Sequence, residues 1–230
     1  GLIMMTTTRD DGTLAAMVEQ QRQVVLVDED IPGVDAPRVF AENERGAYEA
    51  TRHLIEAGHS DIAFLGGSLD LMTSTERRAG YLRAMSEANI AVRSELMRAG
   101  RYAAPFAEEA VTDLMGLAHP PTAIFATGNA LVVGAVAALR RAGLSIPGDV
   151  SLVGFDDLPA TLLVEPALTS VCQPIDELGR MSFRVLLALL RGEPVPAVTR
   201  LPVQFMRRGS VAPPREKQRM APHTATVGAA

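Results

Sequence analysis

The stretch from Pro121 to Asp157 most constrains how this chain can fold, because it reads as a complete strand–helix–strand unit. Two short apolar runs, Thr122–Thr127 and Val150–Phe155, flank a segment whose apolar residues recur at helical spacing. Two buried-type strands joined by one helix are predicted to be parallel, with a right-handed connection. Because strands and helices alternate elsewhere in the chain too, the predicted fold class is α/β with parallel sheets.

Polar residues follow both strands of this unit, at the sheet edge where α/β proteins bind ligands. Gly128 and Asn129 form the turn after the first strand, and Asp156 and Asp157 end the second. The same residue types are also typical of ordinary loops and helix caps. Spacing alone therefore leaves ligand binding and capping open at these positions.

Composition favours a soluble, core-forming protein of one large or two small domains, since 47% of the 230 residues are hydrophobic and 21% are charged. The formal net charge of -5 argues against a surface made mainly for phosphate backbones. A single cysteine, Cys172, excludes an internal disulfide and a cysteine-cluster metal site. No run approaches the roughly 18 apolar residues of a membrane span. No basic leader precedes the apolar start Gly1–Met5, so we expect a cytoplasmic protein without a membrane partner.

Catalytic motifs are weak throughout the chain. Gly66-Gly67 follows a predicted strand, but the rest of a dinucleotide-binding fingerprint is missing. His53 and His59 flank a helix end and are not spaced for one metal, which favours a surface or capping role. The acid pair Asp156-Asp157 has no evident partner nucleophile or base. We therefore expect no enzymatic activity, no cofactor and no metal.

A binding site is better supported by the sequence. Arg77 lies in the first turn of a predicted helix just past the carboxyl end of a strand, and Thr73 is four residues before it. Tyr102, Asn129 and Asp156 also fall in loops at carboxyl edges. Together they offer a forked donor, a hydroxyl, an aromatic face, an amide and a carboxylate, which suits a small polyhydroxylated ligand. A solvated helix charge and an ordinary loop aromatic are the alternatives for the arginine and the tyrosine.

Five ordered segments carry longer motifs. They are HLIEAGHSDIAFLGG at His53–Gly67, ERRAGY at Glu76–Tyr81, PGDVSLVGFDD at Pro147–Asp157, PALTSV at Pro166–Val171 and RGS at Arg208–Ser210. These segments resemble the HLxxxGHxxIAxxxG, ERxxGY, PxDvSvvGFDD, PxLTTV and RxS motifs of the LacI/GalR family of bacterial transcription repressors. The resemblance extends over about residues 1–211.

The resemblance implies a periplasmic-binding-protein-like fold, with two α/β subdomains, three crossover strands and an effector in the cleft. The amino-terminal subdomain would hold residues 1–42 and 172–193, and the carboxyl-terminal one residues 43–171 and 194–211. Residues 212–230 are polar, rich in proline and alanine, and unpatterned. They are predicted to form a disordered tail.

The resemblance also implies roles for the candidate site residues. Arg77 matches the effector-contacting arginine of the family and Asp156 its effector-contacting carboxylate. Thr73 falls where a hydroxyl contact is usual, and Tyr102 where an aromatic ring often covers the ligand. One departure stands out, because the usual Asn-Asp of the family aligns with Gly128-Asn129. The effector-contacting amide is therefore lost or displaced by one position, which suggests a non-standard effector.

The function implied is that of the effector-binding and dimerisation core of a LacI-type repressor that senses a sugar or sugar derivative. Such a protein acts as a homodimer on operator DNA. We expect the helix-turn-helix headpiece, the hinge helix and the first two strands of the amino-terminal subdomain to lie outside this chain, which leaves that subdomain incomplete. The alternative is the solute-binding protein of a sugar ABC transporter, disfavoured by the missing leader and by the repressor-like GFDD and ERRAGY segments.

Overall fold

The computed structural model describes residues 1–7, 12–21, 23–157 and 165–215. The strands in these residues are β1 Leu2–Met4, β2 Val24–Val27, β3 Arg38–Ala41, β4 Ile62–Gly66, β5 Met97–Ala99, β6 Ala123–Ala126, β7 Ser151–Phe155, β8 Thr169–Cys172, β9 Val198–Leu201 and β10 Gln204–Met206. The helices are α1 Thr13–Gln21, α2 Asn43–Glu56, α3 Met72–Glu87, α4 Ala104–Met115, α5 Asn129–Arg141 and α6 Ile175–Leu190. None of these helices is long and apolar enough to cross a membrane.

The strands form two sheets. The first sheet has the order β1-β2-β3-β9, and all of its pairs are parallel. The second has the order β10-β8-β7-β6-β4-β5 and is parallel except for β10, which runs antiparallel to β8. The predicted α/β class with parallel sheets is confirmed. Every residue of β4, β6 and β7 is buried, as expected for central strands covered by helices on both faces.

Side chains of the second sheet alternate between two cores, as the two-residue period of a strand requires. Phe64 and Phe125 face the core that α2 and α3 cover. Leu65 and Ile124 face the core under α4 and α5. The first sheet is covered in the same way, with α6 on one face and α1 on the other.

Two glycines allow the helix pairs to approach closely. A Cβ atom at Gly80 of α3 would lie 2.1 Å from the carbonyl oxygen of Glu44 in α2. A Cβ atom at Gly134 of α5 would lie 2.3 Å from the carbonyl oxygen of Ala104 in α4. Backbone cannot move away as a flexible side chain can, so these positions accept no side chain without moving a helix.

Over the residues that the structure describes, the chain crosses between the sheets three times: from β3 into α2, from β8 into α6, and from β9 into β10. The last crossing corrects a prediction, because the resemblance assigned all of residues 194–211 to the carboxyl-terminal subdomain. In the structure β9 pairs with β3 in the first sheet, and only β10 joins the second. Pro202 lies between the two and has no N–H to donate to a ladder, which ends the first strand there.

The C-terminal boundary also differs from the prediction of a disordered tail over residues 212–230. The Ala212 N–H donates to Ser151 Oγ at 3.1 Å, and Arg215 pairs with Asp149 at 2.6 Å. Residues 212–215 are therefore held against β7 of the second sheet and the loop that precedes this strand. The rest of the predicted tail, 216–230, lies outside the described residues.

Candidate functional site

A cavity of about 730 Å³ lies between the two sheets, at the carboxyl ends of their strands. Its wall comes from the loops after β1 and β2 of the first sheet and from those after β4, β5, β6 and β7 of the second. Ligands of open α/β sheets bind at this edge. The five residues predicted from the sequence all lie on this wall, namely Thr73, Arg77, Tyr102, Asn129 and Asp156.

Arg77 is held rigidly on the wall although only 4% of it is exposed. Its Nε donates to Asn43 Oδ1 at 2.9 Å, and one terminal nitrogen donates to the Thr127 carbonyl at 2.8 Å. The guanidinium carbon also lies 3.9 Å from the ring centroid of Phe155. A buried charge is tolerated only when it is hydrogen-bonded in this way, and the stacked ring adds a favourable cation–π contact.

Two aspartates, one from each sheet, occupy strained backbone positions at the cavity. Asp28 follows β2 with a φ of 67°, and Asp156 follows β7 with a φ of 74°. Residues other than glycine seldom adopt this left-handed conformation, and such strain concentrates at functional sites. Burial raises the pKa of Asp28; the charge of Arg77 opposes this, while Asp156 and Glu29 add to it.

Gln173 joins the site from the crossing between β8 and α6. Its Nε2 donates to Asp156 Oδ1 at 2.5 Å, whereas its Oε1 is buried and accepts no hydrogen bond among the described residues. A buried acceptor without a donor requires an explanation, and a donor supplied by a bound molecule would satisfy it.

The ring of Tyr102 is held between two glycines. A Cβ atom at Gly67 would lie 2.1 Å from this ring, and one at Gly128 would lie 2.7 Å from it. The hydroxyl of Tyr102 accepts a hydrogen bond from Ser74 Oγ at 3.0 Å. The ring thus takes the space that a side chain at position 128 would need, which gives the departure at Gly128-Asn129 a physical reason.

Thr73 and Asn129 have different surroundings. The Thr73 hydroxyl donates to Glu29 Oε2 at 2.8 Å, so it already has a partner within the protein. Asn129 is half-buried at the start of α5 and lines the cavity. Contact with a ligand stays a prediction for both residues.

Charged groups on the described wall are mostly acidic. They are the carboxylates of Asp28, Glu29, Asp70 and Asp156 and the guanidinium groups of Arg77 and Arg101. Within the described ranges, no group of three or more histidine, cysteine or acidic side chains is arranged to hold a metal ion. The arrangement offers hydrogen-bond donors, hydrogen-bond acceptors and an aromatic face.

Sequence reasoning missed several residues of this wall, among them Asp28, Glu29 and Gln173. Asp28 and Glu29 directly follow β2, so the rule that polar residues at strand ends mark a site would have found them. Gln173 directly follows β8, so the same rule would have found it too.

Known proteins that are similar to this chain include transcriptional regulators. Residues 51–211 match the family described as periplasmic binding protein-like domain. The chain is 32% identical over 205 residues to the HTH-type transcriptional regulator GalR of Escherichia coli K12. The aligned residues cover 89% of this chain and 60% of that protein. A LacI family transcriptional regulator from Mycobacterium smegmatis has a similar structure, with 30% identity, a TM-score of 0.84 and coverage of 93% of this chain and 78% of that one.

A second similar structure is the transcriptional regulator CelR in complex with cellobiose. It shares 30% identity at a TM-score of 0.85, over 92% of this chain and 65% of that one. The chain spans between 55% and 60% of the length of the curated relatives it matches. Motifs, fold and relatives agree, and the chain belongs to the LacI/GalR family of transcriptional regulators.

Proposed function

We propose that this chain is the effector-binding core of a LacI-type repressor, and that a small sugar-like molecule binds in the cavity between the two sheets. The observation that carries this proposal is the convergence of five strand-end residues, predicted for a polyhydroxylated ligand, on one cavity. Its volume lies within the range of about 300–1,000 Å³ that is usual for small-molecule sites.

The chemistry of the wall supports a ligand rich in hydroxyl groups. Each hydroxyl both donates and accepts, so it needs partners of both kinds. Arg77 supplies fixed donors, while Asp156 and the unpaired Oε1 of Gln173 supply acceptors. The ring of Tyr102 offers an apolar surface for the C–H face of a sugar. The cellobiose complex of CelR gives a sugar-bound example on a similar fold.

Regulation would follow from the position of the cavity. We infer that residues 1–42 with 173–201 form one subdomain and residues 43–172 with 202–211 the other, so that an effector between them changes their angle. In a homodimer this change would reach paired headpieces on operator DNA, and we infer a cytoplasmic location for the whole protein from this role. Relatives that are regulators favour this role over a transporter's solute-binding protein and over an enzyme.

A thermal-shift panel of neutral mono- and disaccharides, including cellobiose, tests ligand binding. A sugar at a hundred times its Kd should raise the Tm by about 5–10 °C. Arg77→Gln and Asp156→Asn should each remove the shift, whereas Arg141→Gln, an exposed change on α5, should keep it. A panel without any stabilising sugar, or a shift that survives both site variants, would contradict the proposal.

Operator binding needs a separate experiment. This chain, fused behind the part of the E. coli GalR regulator that it does not match, should retard DNA carrying a GalR operator in a gel-shift assay. The sugar found by the panel should change the retarded fraction. A sugar that binds without any effect on DNA binding would leave the ligand site standing and contradict the regulatory role.

A further inference from the structure

The carboxylate of Glu29 occupies the amino end of helix α3. It accepts hydrogen bonds from the backbone N–H groups of Met72 at 2.6 Å and Thr73 at 3.3 Å, and from the Thr73 hydroxyl at 2.8 Å. Glu29 follows β2 of the first sheet, whereas α3 follows β4 of the second, so this contact joins the two sheets at the cavity. Only 4% of Glu29 is exposed, and its hydrogen bonds are therefore shielded from water.

The end of a helix with free N–H groups attracts anions, because the unpaired donors and the helix dipole act together. In many α/β proteins a phosphate or carboxylate group of the ligand binds there. In this chain the donors at the start of α3 already hold a carboxylate of the protein itself. An anionic group of a ligand finds this position filled, and it also meets the charges of Glu29 and the neighbouring Asp28 and Asp156.

We propose that Glu29 determines the charge of the effector: it makes the cavity select a neutral polyhydroxylated ligand and reject phosphorylated or carboxylated ones. This inference rests on the proposed function of the cavity as an effector site. A neutral sugar needs only the donors of Arg77 and the acceptors of Asp156 and Gln173, none of which is a backbone N–H group at the start of α3. A sugar phosphate needs additional donors for its charged group, and the ones at the start of α3 are taken by Glu29.

The first arm of the test compares matched probes on the native protein by calorimetry. The probes are glucose and glucose 6-phosphate, galactose and galactose 1-phosphate, cellobiose, and inorganic phosphate against chloride at equal ionic strength. We expect no binding of inorganic phosphate and weaker binding of each sugar phosphate than of its neutral parent. Phosphate binding to the native cavity, or sugar phosphates that bind as tightly as the neutral sugars, would overturn the inference.

The second arm removes the carboxylate. Glu29→Ala should free the donors at the start of α3 and strengthen the binding of inorganic phosphate by at least about tenfold, the effect of hydrogen bonds to a charged group. Glu29→Gln removes the charge but keeps the space filled, so its gain should be clearly smaller than that of Glu29→Ala. Thr73→Val in the Glu29→Ala background should remove much of the gain, because a hydroxyl donor is lost. If Glu29→Ala does not fold, Glu29→Ser offers the same opening with a small polar side chain.

The outcomes separate this inference from the proposed function. A Glu29→Ala or Glu29→Ser protein that folds and gains no affinity for phosphate would contradict the role of Glu29. If phosphate behaves as expected while no neutral sugar binds the native protein, the role of Glu29 in excluding anions is supported and the sugar-sensing function is contradicted.

Discussion

Gly128 and Tyr102 act as a pair at the site. Gly128 has a φ of 174°, an extended conformation open to any residue, so its lack of a side chain has a packing reason. The ring of Tyr102 cannot move away from position 128 without meeting position 67 on its other side. A side chain at 128 and the ring at 102 are therefore mutually exclusive in this geometry.

The pair makes a prediction about stability. Gly128→Ala should lower the free energy of unfolding by about 1–3 kcal/mol, the usual effect of overpacking. The same change should have little effect in a Tyr102→Leu background, where the ring is gone. Gly179→Ala is the control: with no atom within 4 Å of its added Cβ, it should raise the stability of helix α6 by about 0.5–1 kcal/mol.

Urea denaturation of the four proteins in a double-mutant cycle measures this coupling. Equal destabilisation by Gly128→Ala in both backgrounds would contradict the account of the Gly128-Asn129 departure.

At the scale of elements, His59 fastens the segment after β10 to the second sheet. It lies in the turn after α2 and is 2% exposed. Its Nδ1 is 2.8 Å from Thr122 Oγ1, and its Nε2 is 3.0 Å from Ser151 Oγ and 2.9 Å from the Ala212 carbonyl. Burial lowers the pKa of His59, and the hydrogen bond to the Ala212 carbonyl opposes this only in part.

The lowered pKa gives stability a pH dependence. Because the unfolded state binds the proton more tightly, the contribution of His59 is complete above the unfolded pKa of about 6.5 and decreases as the pH falls below it. When the pH falls from 7.5 to 5.5, the free energy of unfolding of the native protein should decrease by up to about 1 kcal/mol more than that of His59→Gln. Urea denaturation across this range measures the difference, with the exposed His119→Gln as control. Parallel pH profiles for native and His59→Gln would contradict it.

A second contact between the segment after β10 and the rest of the second sheet is the ion pair between Asp157, just after β7, and Arg208, just after β10. The two form parallel hydrogen bonds of 2.7 and 2.6 Å, with side-chain exposures of 14% and 16%. Asp157→Asn should destabilise the protein by about 3 kcal/mol, because it leaves a largely buried arginine without its counter-charge. Glu108→Gln, which breaks the exposed pair with Arg141, should cost less than about 1 kcal/mol. Equal losses in thermal or urea denaturation would contradict this ranking.

Elements with strong local patterns could be predicted from the sequence, and elements fixed by distant partners could not. Strands β6 and β7 and helix α6 follow from apolar runs and helical periodicity. The edge strand Met97–Ala99 is three residues long and only partly buried, so its pairing with β4 leaves no pattern in the sequence. The same limit applies to the site, where strand-end residues could be found, but the hydrogen bonds that join them, such as the one from Gln173 to Asp156, could not.

At the scale of the whole molecule, hydrogen bonds connect the cavity to the arrangement of the two sheets. Arg77 donates to Asn43 Oδ1, and Asn43 Nδ2 donates to Glu76 Oε2 at 3.2 Å. Arg200, on β9 of the first sheet, also donates to Glu76 Oε2 at 3.1 Å. A ligand that draws on Arg77 thus acts on a network that spans both sheets.

This network predicts an effect at a distance. Arg200→Gln removes the ion pair with Glu76, and residue 200 does not line the cavity. It should weaken binding of the sugar found in the panel by about 0.5–1 kcal/mol, a two- to fivefold change. Calorimetry measures the affinity, and the same change in a Glu76→Gln background should have a smaller effect. Unchanged affinity in Arg200→Gln would contradict a coupling through this network.

The central claim is that the cavity between the sheets binds a neutral sugar through Arg77 and Asp156, and a calorimetric titration tests it most directly. The sugar that stabilises the native protein best should bind Asp156→Asn at least about tenfold more weakly, since a hydrogen bond to a charged group is lost. Glu108→Gln, at a position that is not on the cavity wall, should bind it like the native protein. Equal affinity for native protein and Asp156→Asn, with one-to-one binding in both, would contradict the account.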